Sequence, residues 1–586
     1  MDDKDTPGSQ PAPRREPTDR DTDPEADSRT PSTGDSRLSM PDELIPTGVS
    51  GLDAILGGGL ARGALTLIVG VPGSGKTTLA SQISLNTIRS GKRAVILTSL
   101  SESTSKLLKH LASYRFFDSA LIGDQAQFFS LDAALAQGVK AVGDLIVKEA
   151  RRVKADVVML DGFRALSSMG AGPTSGRDFL YALGTTLGAL GVTTIVTSEM
   201  DPHDTSFYPE TTTADIILGL HYKLVGVQQY RGIEVIKARG AQPVPGLHAL
   251  TLSADGVRVY PQLEERVIAE TSGAEDGDLP LGGETRQTRA RRKTGKIPDR
   301  ASFDLPQMDA MLLGGIPRTS CTILAGSLGT GKTLLALHYA MAGVRAGERT
   351  IFLSFREGRD QLTRMTAPFP IGPEFERALQ PDGGLVFLEV PPIKINADIL
   401  ADFLLTQLDQ IGADRLVIDS IADVERMILL SPDPNRLEDY LAAFLRALRA
   451  RQVTPLLVKE TNKLIAPSLD FSADPLSILA ENVIVLQQVP FEGELHRVLS
   501  IPKVRLSAHD TTLREFRIAE PDGLIVLGQF ESQAGVLEGI SRAQNQPRPP
   551  SRRDDPRQSS ASGSSQSIHQ RAGEKRPPLG RRAEES

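Results

Sequence analysis

Two eight-residue stretches of the sequence have the residue types that bind phosphate groups. GVPGSGKT at 70–77 and GSLGTGKT at 326–333 both fit the pattern G-x-x-x-x-G-K-[ST]. In such a loop the glycines let backbone N–H groups face phosphate oxygens, the lysine reaches the β- and γ-phosphates, and the final hydroxyl binds Mg²⁺. The candidate nucleotide-binding residues are Gly70, Gly73, Ser74, Gly75, Lys76, Thr77 and Thr78, and Gly326, Gly329, Thr330, Gly331, Lys332, Thr333 and Leu334.

Carboxylates at matching positions predict a metal ligand for each loop. Asp161 in VVMLD and Asp419 in RLVID each end an apolar run, 85 and 87 residues after their lysines. A carboxylate there can face the Mg²⁺ shell, although a single Asp at the end of a strand is more often a turn former. The predicted magnesium ligands are Thr77, Asp161, Thr333 and Asp419.

Hydrolysis of a phosphate bond also needs a carboxylate that orients or deprotonates the attacking water. Glu102 in LTSLSES and Glu357 in LSFREGR follow the next apolar run after each loop, and we predict them as the catalytic bases. The alternative is that they are exposed loop acids. Glu199 and Glu460 end a later apolar run in each copy and lie on the same predicted edge.

The elements that position these residues alternate between buried strands and helices. The first copy reads ALTLIV, then the loop, then TLASQISLNTIRS with helical spacing, then the apolar runs AVILTSL, DVVMLD and TTIVTSE. The second copy gives CTILAG, LLALHYAMAGVRA, TIFLSF, RLVIDS and TPLLVKE in the same order. This alternation predicts an α/β fold with a mainly parallel sheet, and a ligand at the carboxyl ends of its strands.

The two copies predict a tandem duplication. Asp53 stands 23 residues before Lys76, and Asp309 stands 23 residues before Lys332. The offset between copies is 256 at the lysines, 255 at the glutamates and 258 at the aspartates, so order is kept while loops change length. We predict one domain at 41–265 and a second at 298–530.

The composition is that of a globular protein with polar ends. The chain has 586 residues, 40% hydrophobic and 24% charged, with a net charge of -7. Residues 1–40 and the basic stretch 531–586 are predicted to be disordered tails, and 266–297 a polar linker. The one cysteine excludes an intrachain disulfide and a Cys-based zinc site. Since no apolar run is long enough for a membrane span or a signal peptide, a cytoplasmic location is expected.

The order of motifs resembles the RecA/DnaB-type ATPases, and the duplication with GLD…GG before each loop is similar to the KaiC-like circadian clock ATPase family. VVMLDGF, RLVIDSI, IEVIKARG and SIPKVRLSAHD carry the resemblance, which extends over 41–530. It implies two tandem RecA-like P-loop domains, ATP and Mg²⁺ as cofactors, and a homo-hexamer that holds each ATP between subunits. The residues implied to contact the neighbouring subunit's nucleotide are Lys237, Arg239, Lys503, Arg505, Ser507 and His509.

Three departures from the family pattern affect the second copy most. The family usually places two adjacent glutamates after the second strand, whereas this chain has Ser101-Glu102 and Arg356-Glu357, and Leu506 replaces a glycine. We expect Arg356 to pair with Glu357 and weaken it. The family's phosphorylated Ser-Thr pair falls on Ser477-Ile478, so Ser477 is a candidate phosphosite for autokinase activity. The alternatives are a packed helical Ser477 and a Lys-x-Arg pattern that is only a solvated strand face.

The resemblance implies a Mg²⁺-dependent ATP-hydrolysing ring protein that couples nucleotide state to a signal for a partner protein, with Ser/Thr autokinase activity in the second domain. A RecA-like DNA-dependent ATPase in recombination or repair and a nucleotide-gated scaffold are the alternatives. The acidic chain has 5% aromatic residues and no Trp, which disfavours nucleic acid, although RQTRARRKTGK and the basic tail could contact it. No membrane partner is expected.

Overall fold

Two nine-stranded sheets, one in each half of the chain, dominate the computed structural model. The predicted tails 1–40 and 531–586 and residues 273–297 of the predicted linker lie outside the residues that the structure describes. Those described residues are 43–98, 103–123, 125–167, 175–202, 209–225, 228–272, 299–391, 396–461, 475–491, 493–505 and 507–530.

The strands begin and end at corresponding places in the two halves. In the first half they are β1 (Leu44–Ile45), β2 (Leu60–Ala61), β3 (Leu65–Gly70), β4 (Ala94–Thr98), β5 (Ala126–Ser130), β6 (Val157–Asp161), β7 (Thr193–Glu199), β8 (Ile216–Val225), β9 (Gln228–Ala238), β10 (His248–Ser253) and β11 (Gly256–Tyr260). In the second half they are β12 (Arg300–Ala301), β13 (Ile316–Pro317), β14 (Thr322–Gly326), β15 (Thr350–Ser354), β16 (Leu385–Glu389), β17 (Arg415–Asp419), β18 (Thr454–Glu460), β19 (Asn482–Phe491), β20 (Glu494–Val504), β21 (Arg514–Ala519) and β22 (Gly523–Gln529).

The two large sheets have the same topology. The first has the order β5-β4-β6-β7-β3-β8-β9-β10-β11, and the second has β16-β15-β17-β18-β14-β19-β20-β21-β22. In each sheet the first six strands of this order are parallel, and the last three are added antiparallel. The P-loop strands β3 and β14 therefore occupy the same central place. The predicted α/β fold with two tandem RecA-like domains and mainly parallel sheets is confirmed.

Helices cover both faces of each sheet, which explains why the central strands are continuous apolar runs. Every residue of β3, β4 and β14 is buried. In the first half the helices are Leu52–Leu56, Lys76–Arg89, Thr104–Leu111, Asp132–Leu135, Val139–Val153, Phe163–Ser167, Ser175–Ala189, Pro209–Thr213 and Leu263–Ser272. In the second half they are Pro306–Met311, Lys332–Arg345, Arg359–Thr366, Ile371–Ala378, Ala397–Ile411, Ile421–Leu429, Leu437–Ala450 and Pro475–Leu479. Among the described helices, none is long and apolar enough to cross a membrane.

The repeated aspartate that precedes each loop by 23 residues has a structural role. Asp53 Oδ1 accepts a hydrogen bond from the Thr47 N–H at 2.9 Å. Asp309 accepts from the N–H groups of Phe303 and Leu305 at 2.8 and 3.1 Å. Each carboxylate thus fixes the turn that leads into the short helix before the P-loop strand, because it satisfies backbone donors there.

The helix Leu263–Ser272 includes residues 266–272, the first part of the predicted polar linker. Leu263 and Val267 are buried in an apolar cluster formed otherwise by the second half. The N–H of Leu263 donates to Asp398 Oδ1 at 3.1 Å. This helix therefore joins the first half to the core of the second.

Candidate nucleotide sites on two P-loops

The first P-loop has the backbone conformation that its glycines predict. Gly73 and Gly75 have φ values of +79° and +104°, in the left-handed region that favours glycine. A Cβ atom on Gly70 would lie 2.6 Å from the Leu220 carbonyl oxygen, so only glycine fits there. Lys76 begins the helix Lys76–Arg89, and its Nζ donates to the carbonyls of Gly70 and Val71 at 2.9 and 3.1 Å. The ammonium group consequently lies within the loop.

The loop's polar atoms fit a phosphate group. Ser74 Oγ is buried and has no hydrogen-bond partner among the residues that the structure describes. Burial lowers the pKa of Lys76, while the charges of Glu199 and Asp161 raise it. A phosphate oxygen would satisfy both the orphaned hydroxyl and the desolvated ammonium group.

The two predicted magnesium ligands of the first site lie together. Thr77 Oγ1 donates to Asp161 Oδ1 and Oδ2 at 3.0 and 3.2 Å. Thr197, on the neighbouring strand β7, donates to Asp161 Oδ1 at 2.5 Å and accepts from the Gly162 N–H at 2.9 Å. The carboxylate is therefore oriented toward the P-loop hydroxyl by a second threonine.

The second P-loop repeats this arrangement. Gly329 and Gly331 have φ values of +74° and +95°. Lys332 Nζ donates to the Ser327 carbonyl at 2.8 Å, and Thr333 Oγ1 donates to Asp419 Oδ2 at 2.7 Å. Within the described residues, no three His, Cys, Asp or Glu side chains form a metal cluster. Mg²⁺ would accordingly be held by one hydroxyl, one carboxylate, water and phosphate oxygens, which is the usual way in which proteins hold this ion.

Acidic groups crowd the second site. Burial raises the pKa of Asp419 to about 6, and Glu357 and Glu460 add to this rise. The hydrogen bond from Thr333 and the charge of Lys332 oppose it. A divalent cation beside Asp419 would offset this repulsion and favour the ionised carboxylate.

The structure brings one of the two predicted catalytic bases to a site. Glu357 lies close enough for its charge to raise the pKa values of both Lys332 and Asp419, although burial is the main influence on each. Glu102 lies outside the described residues.

The expected pairing of Arg356 with Glu357 is wrong. Arg356 Nη1 donates to Glu460 Oε2 at 3.0 Å, and Nε lies 3.4 Å from Asp423 Oδ2. The reason is the strand order, since β15, β17 and β18 end side by side and bring acids from β18 and from the helix after β17 to Arg356. Glu357 is thus not neutralised by its neighbour in the sequence.

The first Lys-x-Arg segment contacts a short helix of its own chain. Lys237 Nζ donates to the carbonyls of Thr211 and Thr212 at 3.2 and 3.3 Å, and Arg239 Nη2 donates to Thr212 O at 3.2 Å. These carbonyls belong to the helix Pro209–Thr213. Burial lowers the pKa of Lys237, and the charge of Arg239 lowers it further. The segment is therefore more than a solvated strand face.

The second segment makes the same contacts. Lys503 Nζ donates to Ser477 O at 2.9 Å, and Arg505 Nη2 donates to Ile478 O at 3.4 Å, both in the helix Pro475–Leu479. The separations along the chain are 26 and 27 residues in this half, as for Lys237 with Thr211 and Arg239 with Thr212. The side chain of Ser477 is buried, with 7% of the residue exposed, so access to its hydroxyl requires movement of this helix.

The residues that follow the second segment are held differently. Ser507 Oγ accepts from Arg300 Nη2 at 2.6 Å. His509 Nε2 is buried, with no hydrogen-bond partner among the described residues. A hydrogen bond from Arg514 lowers the pKa of Asp510 to about 2. Leu506 lies outside the described residues.

Two groups near the first P-loop were not predicted. Arg164 Nη1 donates to the Glu199 carbonyl at 2.6 Å at the end of β7. The Arg231 guanidinium lies 4.5 Å from the centroid of the Tyr222 ring, and that ring approaches Gly73 closely enough to lie 3.8 Å from a Cβ built there. No motif marks these residues, because the place of Arg164 depends on the pairing of β6 with β7 and that of Arg231 on the pairing of β8 with β9.

Comparison with known proteins agrees with this arrangement. The family model of the KaiC ATPase matches residues 45–264 and 303–531. The chain is 26% identical over 507 residues to the circadian clock oscillator protein KaiC of Thermostichus vulcanus, which covers 84% of this chain and 91% of that protein. It is 25% identical over 509 residues to KaiC 1 of Synechocystis, and 26% identical over 517 residues to KaiC3 of the same organism. These alignments cover 85% of this chain each, and 91% and 94% of the relatives. With two nine-stranded P-loop halves and a family match over both, the chain belongs to the KaiC ATPase family.

Proposed function

We propose that this protein is a Mg²⁺-dependent ATPase with one ATP site on each P-loop. The observation that carries the proposal is the contact between the P-loop threonine and the strand-ending aspartate, at 3.0 Å in the first half and 2.7 Å in the second. Magnesium, when bound at such a pair, neutralises charge that develops on the transferred phosphoryl group. Lys76 and Lys332 bind the phosphates, while Glu102 and Glu357 orient the attacking water.

We further propose that the protein works as a homo-hexamer that couples nucleotide state to a signal for a protein partner. The named relatives are circadian clock proteins, which supports this kind of role. In the hexamer Lys237 and Arg239, and Lys503 with Arg505, Ser507 and His509, lie near the neighbouring subunit's nucleotide. Because each Lys-x-Arg pair also binds a helix of its own chain, nucleotide contacts would be transmitted to that helix. In the second half this helix contains Ser477, the proposed autokinase site.

Lysine variants test the two sites separately. We expect Lys76→Ala and Lys332→Ala each to lower ADP release from ATP and Mg²⁺, and the double variant to abolish it, because each loses a cation from the phosphate loop. Lys109→Ala, which removes an exposed lysine of the first half, is the matched control. Mass measurements with and without ATP check assembly, and ³²P transfer to wild type and to Ser477→Ala checks the autokinase proposal.

The same assays identify the alternatives. Unchanged ADP release in the double variant would contradict the two-site ATPase. Nucleotide binding without turnover would favour a nucleotide-gated scaffold, and stimulation of turnover by single-stranded DNA would favour a DNA-dependent ATPase. Equal ³²P labelling of wild type and Ser477→Ala would remove the phosphosite.

A further inference from the structure

An arginine is held at the carboxyl edge of the second sheet, beside the P-loop. Arg356 follows β15 by two residues and contacts two carboxylates, Glu460 at 3.0 Å and Asp423 at 3.4 Å. Its side chain is 50% exposed, whereas that of Asp423 is buried. These contacts use Nη1 and Nε, and the Nη2 group takes part in neither. The guanidinium is therefore held through Nε and Nη1, while the side chain as a whole is half exposed to solvent.

The strand register places this ion pair at the phosphate-binding loop. Gly326, the first loop residue, lies directly beside Glu460, and Ser354 lies beside Asp419. Since the order of strands is β15-β17-β18-β14, the pair of Arg356 and Glu460 crosses the end of β17, the strand that Asp419 ends. Burial is the main cause that lowers the pKa of Lys332, and of the nearby charges Glu460 raises it while Arg356 lowers it. Arg356 thus lies close enough to the loop lysine for its charge to affect the pKa of that lysine.

The first half also has an arginine at this edge, but from a different element. Glu199 lies beside Gly70 in the register, as Glu460 lies beside Gly326. Arg164, from the helix that follows Asp161, donates to the Glu199 carbonyl at 2.6 Å. The offset of 258 between Asp161 and Asp419 puts Ala422 at the corresponding position of the second half. In each half a guanidinium thus contacts the residue that ends the strand beside the P-loop strand, although it comes from a different element, and this favours a role for the charge itself.

We propose that Arg356 is the residue with which the second site distinguishes a nucleoside triphosphate from a diphosphate. This inference rests on the proposed ATP site. When a terminal phosphate lies beside Lys332, Arg356 leaves Glu460 and Asp423 and donates to phosphate oxygens. A planar guanidinium suits this exchange, because one fork of donors fits either a carboxylate or a phosphate. With a diphosphate, Arg356 stays on its two carboxylates.

Nucleotide binding by the full chain tests this role. The parent is Lys76→Ala, which removes the first loop's lysine, and the probes are fluorescent mant-AMPPNP and mant-ADP with Mg²⁺. We expect Arg356→Gln to weaken mant-AMPPNP by about tenfold or more, the equivalent of one charge-assisted hydrogen bond, and mant-ADP by less than about twofold. Arg356→Lys should recover part of the loss. Arg359→Gln, which removes an exposed arginine three residues away, should change neither.

If Arg356 exchanges its carboxylate partners for phosphate, a variant that weakens a carboxylate contact should change the nucleotide preference in the direction opposite to Arg356→Gln. Asp423→Asn weakens one of the contacts that hold Arg356, so we expect it to raise the preference for mant-AMPPNP over mant-ADP. Equal losses for the two nucleotides in Arg356→Gln, or no change, would overturn the inference while leaving the ATP site in place. A parent that binds neither probe would instead refute the proposed second site, and the inference with it.

Discussion

At the scale of single residues, Asp419 is where burial, charge and metal binding meet. Its pKa is about 6 because the carboxyl group is buried beside Glu357 and Glu460, while Thr333 donates to it. A carboxyl group whose pKa is raised on folding stabilises the folded state at low pH, and this contribution is lost as the pH rises through about 6. At neutral pH the ionised group therefore costs stability unless a cation is bound.

We expect Mg²⁺-dependent nucleotide binding at the second site to weaken as the pH falls below about 6, because protons compete with the metal for Asp419. Because one proton competes with the metal, the nucleotide affinity should fall by up to about tenfold for each pH unit. Titration of the Lys76→Ala chain with mant-ADP and Mg²⁺ from pH 7.5 to pH 5 measures it. Nucleotide phosphates titrate in the same pH range. The Asp419→Asn chain therefore measures the part of the pH dependence that comes from the nucleotide itself. The same pH profile in both chains would exclude Asp419 as the titrating group.

At the scale of elements, the sequence predicts those strands and helices that a local motif or a local apolar pattern marks. The P-loop motif and the apolar runs predict β3, β14 and the helices that follow, because glycine geometry and burial are local properties. The partners of Arg356 and the carbonyls bound by Lys237 are not predictable in this way, since they depend on which strands end side by side. The helix Leu263–Ser272 was missed because its buried residues, Leu263 and Val267, are only two among polar neighbours.

The second half is further stabilised by a buried ion cluster. Arg415 Nε donates to Glu348 Oε2 at 2.6 Å, and Arg318 Nη1 donates to the same oxygen at 2.9 Å. Arg415 also donates to the carbonyls of Ser302 and Tyr339 at 2.7 and 2.8 Å. Val157 occupies the place of Arg415 in the first half, at the corresponding end of β6. The cluster therefore distinguishes the two halves.

We expect Arg415→Met to lower the free energy of unfolding of the second half by about 3–5 kcal/mol, because Glu348 would stay buried with fewer partners. Denaturant unfolding of the full chain, followed by hydrogen exchange in each half, checks this. Arg349→Met, which removes an exposed arginine near the cluster, should cost far less. Equal effects of the two substitutions would show that the cluster adds no stability.

At the scale of the whole molecule, arginines connect the two halves, and Arg436 is more buried than Arg258 and Arg266, which both pair with Asp402. Arg436 Nε donates to Glu264 Oε1 at 2.8 Å, and Nη1 donates to Asp398 Oδ2 at 2.8 Å. Glu264 belongs to the helix that ends the first half, whereas Asp398 lies in the first turn of the helix Ala397–Ile411. The side chains of Arg436 and Glu264 are largely buried, and that of Asp398 is almost completely buried. The link between halves is therefore ionic as well as apolar.

We expect Arg436→Met to destabilise the junction by about 3–5 kcal/mol, because two buried carboxylates would lose their shared cation. Calorimetry should then resolve separate transitions for the two halves or a wider separation between them. Arg446→Met is the control, because it removes an exposed arginine of the helix Leu437–Ala450, which begins directly after Arg436. An unchanged melting profile in Arg436→Met would mean that the remaining contacts, which include the ion pairs of Arg258 and Arg266 with Asp402, hold the junction without Arg436.

The bonds from the Lys-x-Arg segments to helix carbonyls have a consequence for how the halves diverge. Lys237 and Lys503 bind main-chain oxygens, which every residue type supplies. Arg239 and Arg505 likewise bind main-chain oxygens, and there the side chain differs between the halves, Thr212 in the first and Ile478 in the second, while the bond is kept. After a duplication, both copies can thus keep the bonds between this strand segment and the helix while the side chains of the helix change in one copy.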